Sequence, residues 1–177
     1  GWLLALRAGR PDTAVSLHAG NSATVAERLL SDEADLGFVE GLTVPSGLDS
    51  VVIAHDHLIV VTAPGHVWAR RRRPLEAAEL AATPLILREK GSGTRQVLDA
   101  ALGGLARPLI ELSSTTAVKA AAVSGAGPAV LSELAVGEEL SMRRLVRVPV
   151  DGVSLARDLR AVWPTGHRPV GPARDLL

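Results

Sequence analysis

Between Leu87 and Arg95 the chain reads Leu-Arg-Glu-Lys-Gly-Ser-Gly-Thr-Arg. An apolar run precedes this stretch and a helical pattern follows it, which places it at a strand-to-helix junction. Gly91 and Gly93 let the backbone turn tightly and approach a ligand. The helix that follows offers unpaired N–H groups and the positive end of its dipole. Ser92 and Thr94 add hydroxyls, and Arg88 and Arg95 add positive charge. Together these suit a carboxylate or a phosphate. The same residues also read as an ordinary capped helix start with Arg95 on its solvated face, and spacing alone does not separate the two readings.

Two further junctions share this character: Gly20-Asn21-Ser22-Ala23-Thr24 and Ser113-Ser114-Thr115-Thr116. Each alone is accounted for as an N-cap, the position that Ser, Thr and Asn favour. Ligands of open α/β sheets bind beyond the carboxyl ends of the strands, so three such junctions are able to converge on one cleft.

Other chemistries find little support. Gly91-Ser92-Gly93 opens a dinucleotide fingerprint, but Gln96 stands where the third glycine belongs, and neither a phosphate-loop motif nor a nucleophile elbow occurs. His55-Asp56-His57 would put two imidazoles on one face of a strand. Zinc requires further ligands that nothing nearby supplies, so a polar turn between two strands is the better reading. Arg70 to Arg73, before Pro74, read as a solvated connection. Gly125-Ala126-Gly127-Pro128 reads as a helix stop. The chain has no cysteine, hence no disulfide or thiolate nucleophile. No cofactor, metal or catalytic activity is expected.

Composition narrows the class. The 177 residues carry 19 basic and 19 acidic side chains, so the basic excess of a free-standing nucleic-acid binder is missing. With one Phe, three Trp and no Tyr there is no platform for stacked bases. Nearly half the residues, 47%, are hydrophobic, enough for a buried core. No apolar run is long enough for a membrane span. Gly1 to Arg10 lacks a basic leader and a small-residue cleavage site, and reads as the end of a helix that begins before Gly1.

The elements that must position the junctions follow from periodicity and punctuation. Strands are expected at Ala14–His18, Leu36–Val39, Leu48–Ala54, Leu58–Thr62, Leu85–Leu87, Leu109–Leu112, Ala129–Leu131, Leu145–Val150 and Leu159–Trp163. Helices are expected at Asn21–Leu30, Leu75–Ala82, Ser92–Leu102, Thr115–Val123, Glu133–Leu140 and in the Pro169–Leu177 tail. The order is β-α-β-α, twice, which predicts parallel sheets covered by helices. The lobes divide as 1–62 plus 152–177 and 63–151, the last strand and tail returning to the first.

Read in this order, the chain resembles the effector-binding domain of LysR-type transcriptional regulators. Four segments carry the resemblance. The first is Pro11, Val15, Leu17, Gly20, Asn21, Ser22, Asp35, Leu36 and Gly37. The second is the strand His57 to Val61 with the turn Pro64-Gly65-His66-Val67-Trp68-Ala69, where Val67 replaces the family's proline. The third is Arg88, Glu89, Gly91, Ser92, Gly93, Thr94 and Arg95. The fourth is Gly125, Gly127, Leu131 and Ser132.

The resemblance implies an α/β fold of two Rossmann-like lobes, of the type II periplasmic-binding-protein-like kind, with a ligand cleft between them. It implies a small, anionic effector held by Asn21, Ser22, Ala23, Gly91, Ser92, Gly93, Thr94, Ser114 and Thr115. It also implies a homodimer or homotetramer, a cytoplasmic location, and DNA contact only through a winged helix-turn-helix that precedes the matched region. The family's first strand of lobe one precedes it too. Two rivals share the scaffold: a transporter's solute-binding protein, and an enzyme such as a deaminase or dehydratase, for which no nucleophile–base pair is visible.

Overall fold

The computed structural model describes residues 2–177. The chain starts with helix α1 (Trp2–Gly9) and runs extended to α2 (Ser22–Leu30), then strand β1 (Gly37–Gly41) and the long strand β2 (Leu48–Thr62). After a short 3-10 turn come β3 (Leu75–Glu76), α3 (Ala77–Ala82), β4 (Ile86–Arg88), α4 (Gly93–Leu102), β5 (Ile110–Leu112) and α5 (Thr115–Val123). Then follow β6 (Ala129–Ser132), α6 (Glu133–Ser141), β7 (Val146–Val148), β8 (Val150–Asp151), β9 (Ala156–Pro164) and α7 (Gly171–Arg174). Of the helix expected across the N-terminus, Gly1 lies outside the described residues.

β2 joins the two lobes. Leu48 to His57 pair antiparallel with β9, while Leu58 to Val61 pair with β6 and Val60 to Thr62 with β7. The strand changes partners between His57 and Leu58, and β9 returns beside it from Ala156. A bulge at Val52/Ala54 shifts the register, so that Asp56 stands opposite Arg157. Without the extra residue Asp56 would face Ala156, so the bulge aims a carboxylate at a guanidinium.

Alternation builds the second lobe's core. Leu58, Val60, Leu85, Leu87 and Val130 point to one face with Leu98 and Leu75, while Ile59, Val61, Ile86, Ala129 and Leu131 point to the other with Val118 and Val136. Both faces are covered by helices, so these strands are apolar throughout, as double burial requires. The first lobe has a smaller core: Ala26 and Leu29 of α2 lie on Val39, Leu48 and Val162.

Several expectations need correction. The sheets are not uniformly parallel. β4 is parallel to β5 and β6, but β2 pairs antiparallel with β6, β7 and β9, and β1 pairs antiparallel with β9. The chain enters the second lobe along β2 and returns from it into β9, so these two strands run in opposite directions. The polar turn at His55–His57 does not exist, because all three residues lie inside β2. Asp56 is tolerated there because its charge is paired, and His55 because it faces solvent.

Ala14–His18 has the alternation of a strand but forms none. Among the described residues no strand pairs with it, and Val15 and Leu17 stay exposed, Leu17 at 71%. The helix expected at Leu75–Ala82 gives its first two residues to β3, which pairs with β8. The strand expected at Leu145–Val150 is interrupted at Pro149, which has no N–H to continue a ladder.

Candidate functional site

Three helix N-termini approach the region where the lobes meet, and their local sequence explains how. Asn21 caps α2: its Oδ1 accepts from the Thr24 N–H at 3.0 Å and from the Thr24 hydroxyl at 3.2 Å. Its Nδ2 donates across the lobes to Glu89 Oε1 at 3.0 Å, and the Ala23 N–H donates to the Gly91 carbonyl at 3.2 Å. Gly91 takes φ +90° to make this turn, a conformation most side chains resist.

Gly93, the first residue of α4, lies beneath the backbone of Glu40, so close that an added Cβ would overlap the Glu40 carbonyl. Ser22 brackets the same residue: its hydroxyl donates to the Glu40 carbonyl at 3.1 Å and accepts from the Glu40 N–H at 3.3 Å. Asn21, Ser22, Ala23, Gly91 and Gly93 therefore meet as a seam between the lobes. Ser92 is buried at the cap position of α4 without a side-chain capping bond.

Beside this seam lies a cleft of about 270 Å³, its polar lining made by Glu40, Asp56, Thr94, Thr115, Ser132 and Arg157. Arg157 is its organising group, with a side chain only 2% exposed. Its Nε donates to Asp56 Oδ2 at 2.8 Å, and Nη2 lies 2.7 Å from the same oxygen. Its Nη1 donates to Thr94 Oγ1 at 3.0 Å and lies 2.6 Å from Glu40 Oε2. Asp56 accepts in addition from the Ser132 hydroxyl at 3.0 Å and the His57 N–H at 2.8 Å. The buried pair is thus fully engaged, the condition under which burying charge is sustainable.

A second cation stands nearby. Arg88 grips Glu89 through Nε and Nη2 at 2.8 and 3.0 Å and donates from Nη1 to Thr115 Oγ1 at 2.8 Å. The Arg88 hydrogen bond holds the Glu89 carboxyl below its ordinary pKa against the opposing effect of burial, with Asn21 helping. Thr94 and Thr115 each accept from an arginine and so keep their own O–H to donate. Polarisation by the guanidinium strengthens such a donor.

Of the nine residues singled out in the sequence, Thr94 and Thr115 line the cleft, and six form or flank the adjoining seam. Ser114 stands apart as the exposed cap of α5, accepting from the Ala117 N–H at 3.1 Å. Arg95 is not on a solvated face and does not serve the cleft. It is 9% exposed and bound to Asp99 at 3.0 Å and Glu111 at 3.3 Å.

Arg157 and Glu40 escaped the sequence reading, and Asp56 entered it only as part of the His55–His57 turn. The available signal was the charged cluster Arg157, Asp158 and Arg160 at the head of a strand that ends apolar. Among the described residues no group of three or more His, Cys, Asp or Glu is placed to hold a metal. His55 instead bonds Asp158 at 2.8 Å, and that contact is the main reason the Asp158 carboxyl lies below its usual pKa.

Comparison with known proteins agrees with this architecture. The chain is 46% identical, over 99% of its length, to an HTH-type transcriptional regulator of Mycobacterium tuberculosis H37Rv, and covers 61% of that protein. It is 35% identical over 89% of its length to the HTH-type transcriptional regulator YeiE of Escherichia coli K12, covering 53% of it. It therefore spans somewhat over half the length of these relatives. Among solved structures, the regulatory domain of CcmR from Synechocystis PCC6803, in complex with 2-PG, superposes with a TM-score of 0.81 at 25% identity, over 98% of this chain and 84% of that one. The solved structures that it resembles are regulatory and effector-binding domains with the type II periplasmic-binding-protein-like fold. No helix among the described residues is long and apolar enough to cross a membrane. The LysR substrate binding domain model matches residues 1–177, and the chain belongs to that family.

Proposed function

We propose that this domain senses a small anionic metabolite in the cleft between its lobes. The observation that carries this reading is the buried Arg157 guanidinium, with the hydroxyls of Thr94 and Thr115 beside it, in a 270 Å³ cleft at the strand crossover. Helix N-termini at α4 and α5 would each favour an anion by roughly 0.3–1 kcal/mol. We assign Thr94 and Thr115 as direct contacts. The Ser92–Gly93 backbone presents the end of α4, while Asn21, Ser22, Ala23 and Gly91 hold the lobes together around the site. Ser114 fixes the start of α5.

The division into lobes follows the change of strand partners at His57–Leu58 and the start of β9 at Ala156, which supports lobe I as residues 1–57 plus 156–177 and lobe II as 58–155, a few residues off the expected 1–62 plus 152–177 and 63–151. An effector that prefers one arrangement of the lobes shifts its population. A coupling of about 1–3 kcal/mol would suffice to signal to the DNA-binding part of a regulator. Large apolar side chains left exposed on lobe I, Leu17, Leu30, Val51 and Ile53, support a homodimer or homotetramer. We place its site of action in the cytoplasm, in keeping with such a regulator. The test is a thermal-shift screen against carboxylates, sugar phosphates and inorganic anions. An anion at a hundred times its Kd should add ~2.7 kcal/mol, and that gain should shrink in Thr94→Val. A screen that finds only neutral or cationic ligands would overturn the reading.

A further inference from the structure

Arg157 has two cleft-side partners of different kinds. Thr94 contributes a neutral oxygen from lobe II, and Glu40 contributes a carboxylate from lobe I. Asp56 is sealed in, its side chain 1% exposed, and it is held by Ser132 and the His57 N–H. Glu40 differs. Its backbone is pinned by Ser22 and by its place opposite Leu159, yet its side chain is 42% exposed. The carboxylate reaches back from this fixed position to lie 2.6 Å from Arg157 Nη1.

Nη1 carries two hydrogens. One goes to Thr94, and the Glu40 carboxylate is ion-paired with the same nitrogen at 2.6 Å. Nε and Nη2 are turned toward Asp56. An anion entering the cleft thus finds the Nη1 position already occupied by a like charge. That charge can leave, because a half-exposed side chain on a fixed backbone is free to change rotamer toward water.

We propose that Glu40 is an internal competitor for the effector: its carboxylate occupies the anion position on Arg157 and is displaced when an effector anion binds. The proposal rests on the reading of the cleft as an anion site, and names the residue that sets its affinity. A site whose competent form is only partly populated binds with apparent affinity reduced by that fraction. Glu40 therefore sets a threshold, so that the domain responds to high concentrations of its anion and ignores low ones. The exchange also changes what is tied to what. Glu40 on β1 gives up its hold on the crossover, and the ligand takes its place between Arg157 and the N-terminus of α4.

The test is isothermal titration calorimetry with sodium sulfate as probe, at constant ionic strength, on the wild type, Glu40→Gln, Glu40→Asp and Thr94→Val. Glu40→Gln keeps the size and loses the charge. Glu40→Asp keeps the charge but is one methylene too short to reach Arg157 from the pinned backbone. Both should bind sulfate roughly tenfold more tightly than the wild type, the scale of a close charge pair released. Tightening in Glu40→Gln alone would mean that general charge removal acts and displacement does not, and would overturn the proposal. Unchanged affinity in both Glu40 variants, with weaker binding in Thr94→Val, would overturn the competitor while leaving the anion site standing. Absence of sulfate binding in the wild type and in both Glu40 variants would remove the anion site and the competitor together.

Discussion

Asp56 and Arg157 face each other across the two strands that pass between the lobes, 2.7 Å apart and almost wholly buried. Charged pairs of this kind add little net stability over an apolar pair, but removing one partner costs roughly 3–5 kcal/mol. The two partners are not equivalent. Loss of Asp56 leaves Arg157 with Glu40, whereas loss of Arg157 leaves Asp56 with neutral donors only. Arg157→Met should therefore lower the stability measured by urea denaturation by more than Asp56→Asn does. Equal losses would show that Glu40 gives Arg157 no support.

Thr94→Val should separate binding from folding. The substitution keeps the shape and deletes the hydroxyl that accepts from Arg157. One hydrogen bond at about 1–1.5 kcal/mol predicts an anion affinity weaker by roughly tenfold and a small drop in the unfolding midpoint. Thr115→Val should behave alike through Arg88. Ser114→Ala should cost about 1 kcal/mol of stability as a lost cap and leave affinity unchanged. Calorimetry and thermal melts on the three variants read these effects apart.

Much of this molecule was legible in its sequence, for identifiable reasons. Polar residues at cap positions mark helix starts locally, so α2, α4 and α5 begin directly after Asn21, Ser92 and Ser114, although Ser92 makes no side-chain capping bond. Doubly buried strands such as β4 and β6 stand out as short apolar runs. Strand direction is not a local property, so the antiparallel pairing of β2 with β9 was invisible. Nor does alternation guarantee a strand, as Val15 and Leu17 show without a partner beside them. The half of the site that was missed depends on a register. Asp56 meets Arg157 only because of the bulge at Val52/Ala54, and nothing in residues a hundred positions apart declares that they will be neighbours.

Two glycines should respond oppositely to alanine. At Gly93 a Cβ would overlap the Glu40 carbonyl, backbone against backbone, so β1 and α4 must move apart. Gly93→Ala should cost about 3 kcal/mol, the upper range for overpacking. Gly137 lies within α6 with nothing near its added Cβ. Gly137→Ala should stabilise by roughly 0.5–1 kcal/mol through helix propensity. Thermal melts decide both, and a neutral Gly93→Ala would contradict the tight seam between the lobes.

Acid should weaken the domain, and two glutamates identify where. Glu89 is held below its ordinary value of 4.5 by the Arg88 hydrogen bond, and Glu139 by its bond to Lys119. A carboxyl whose pKa is lower in the folded state than in the unfolded state binds fewer protons when folded. Its contribution is therefore complete above about pH 4.5 and disappears as the pH falls from there through the lower folded value. Urea midpoints should be level from neutrality down to roughly pH 5 and then decline. Glu89→Gln and Glu139→Gln should each flatten that decline while lowering the plateau at neutral pH. Only the first should also disturb anion binding, because Glu89 ties Arg88 and Asn21 together beside the cleft, whereas Glu139 joins α6 to α5. A decline equally steep in both variants would place the acid sensitivity elsewhere.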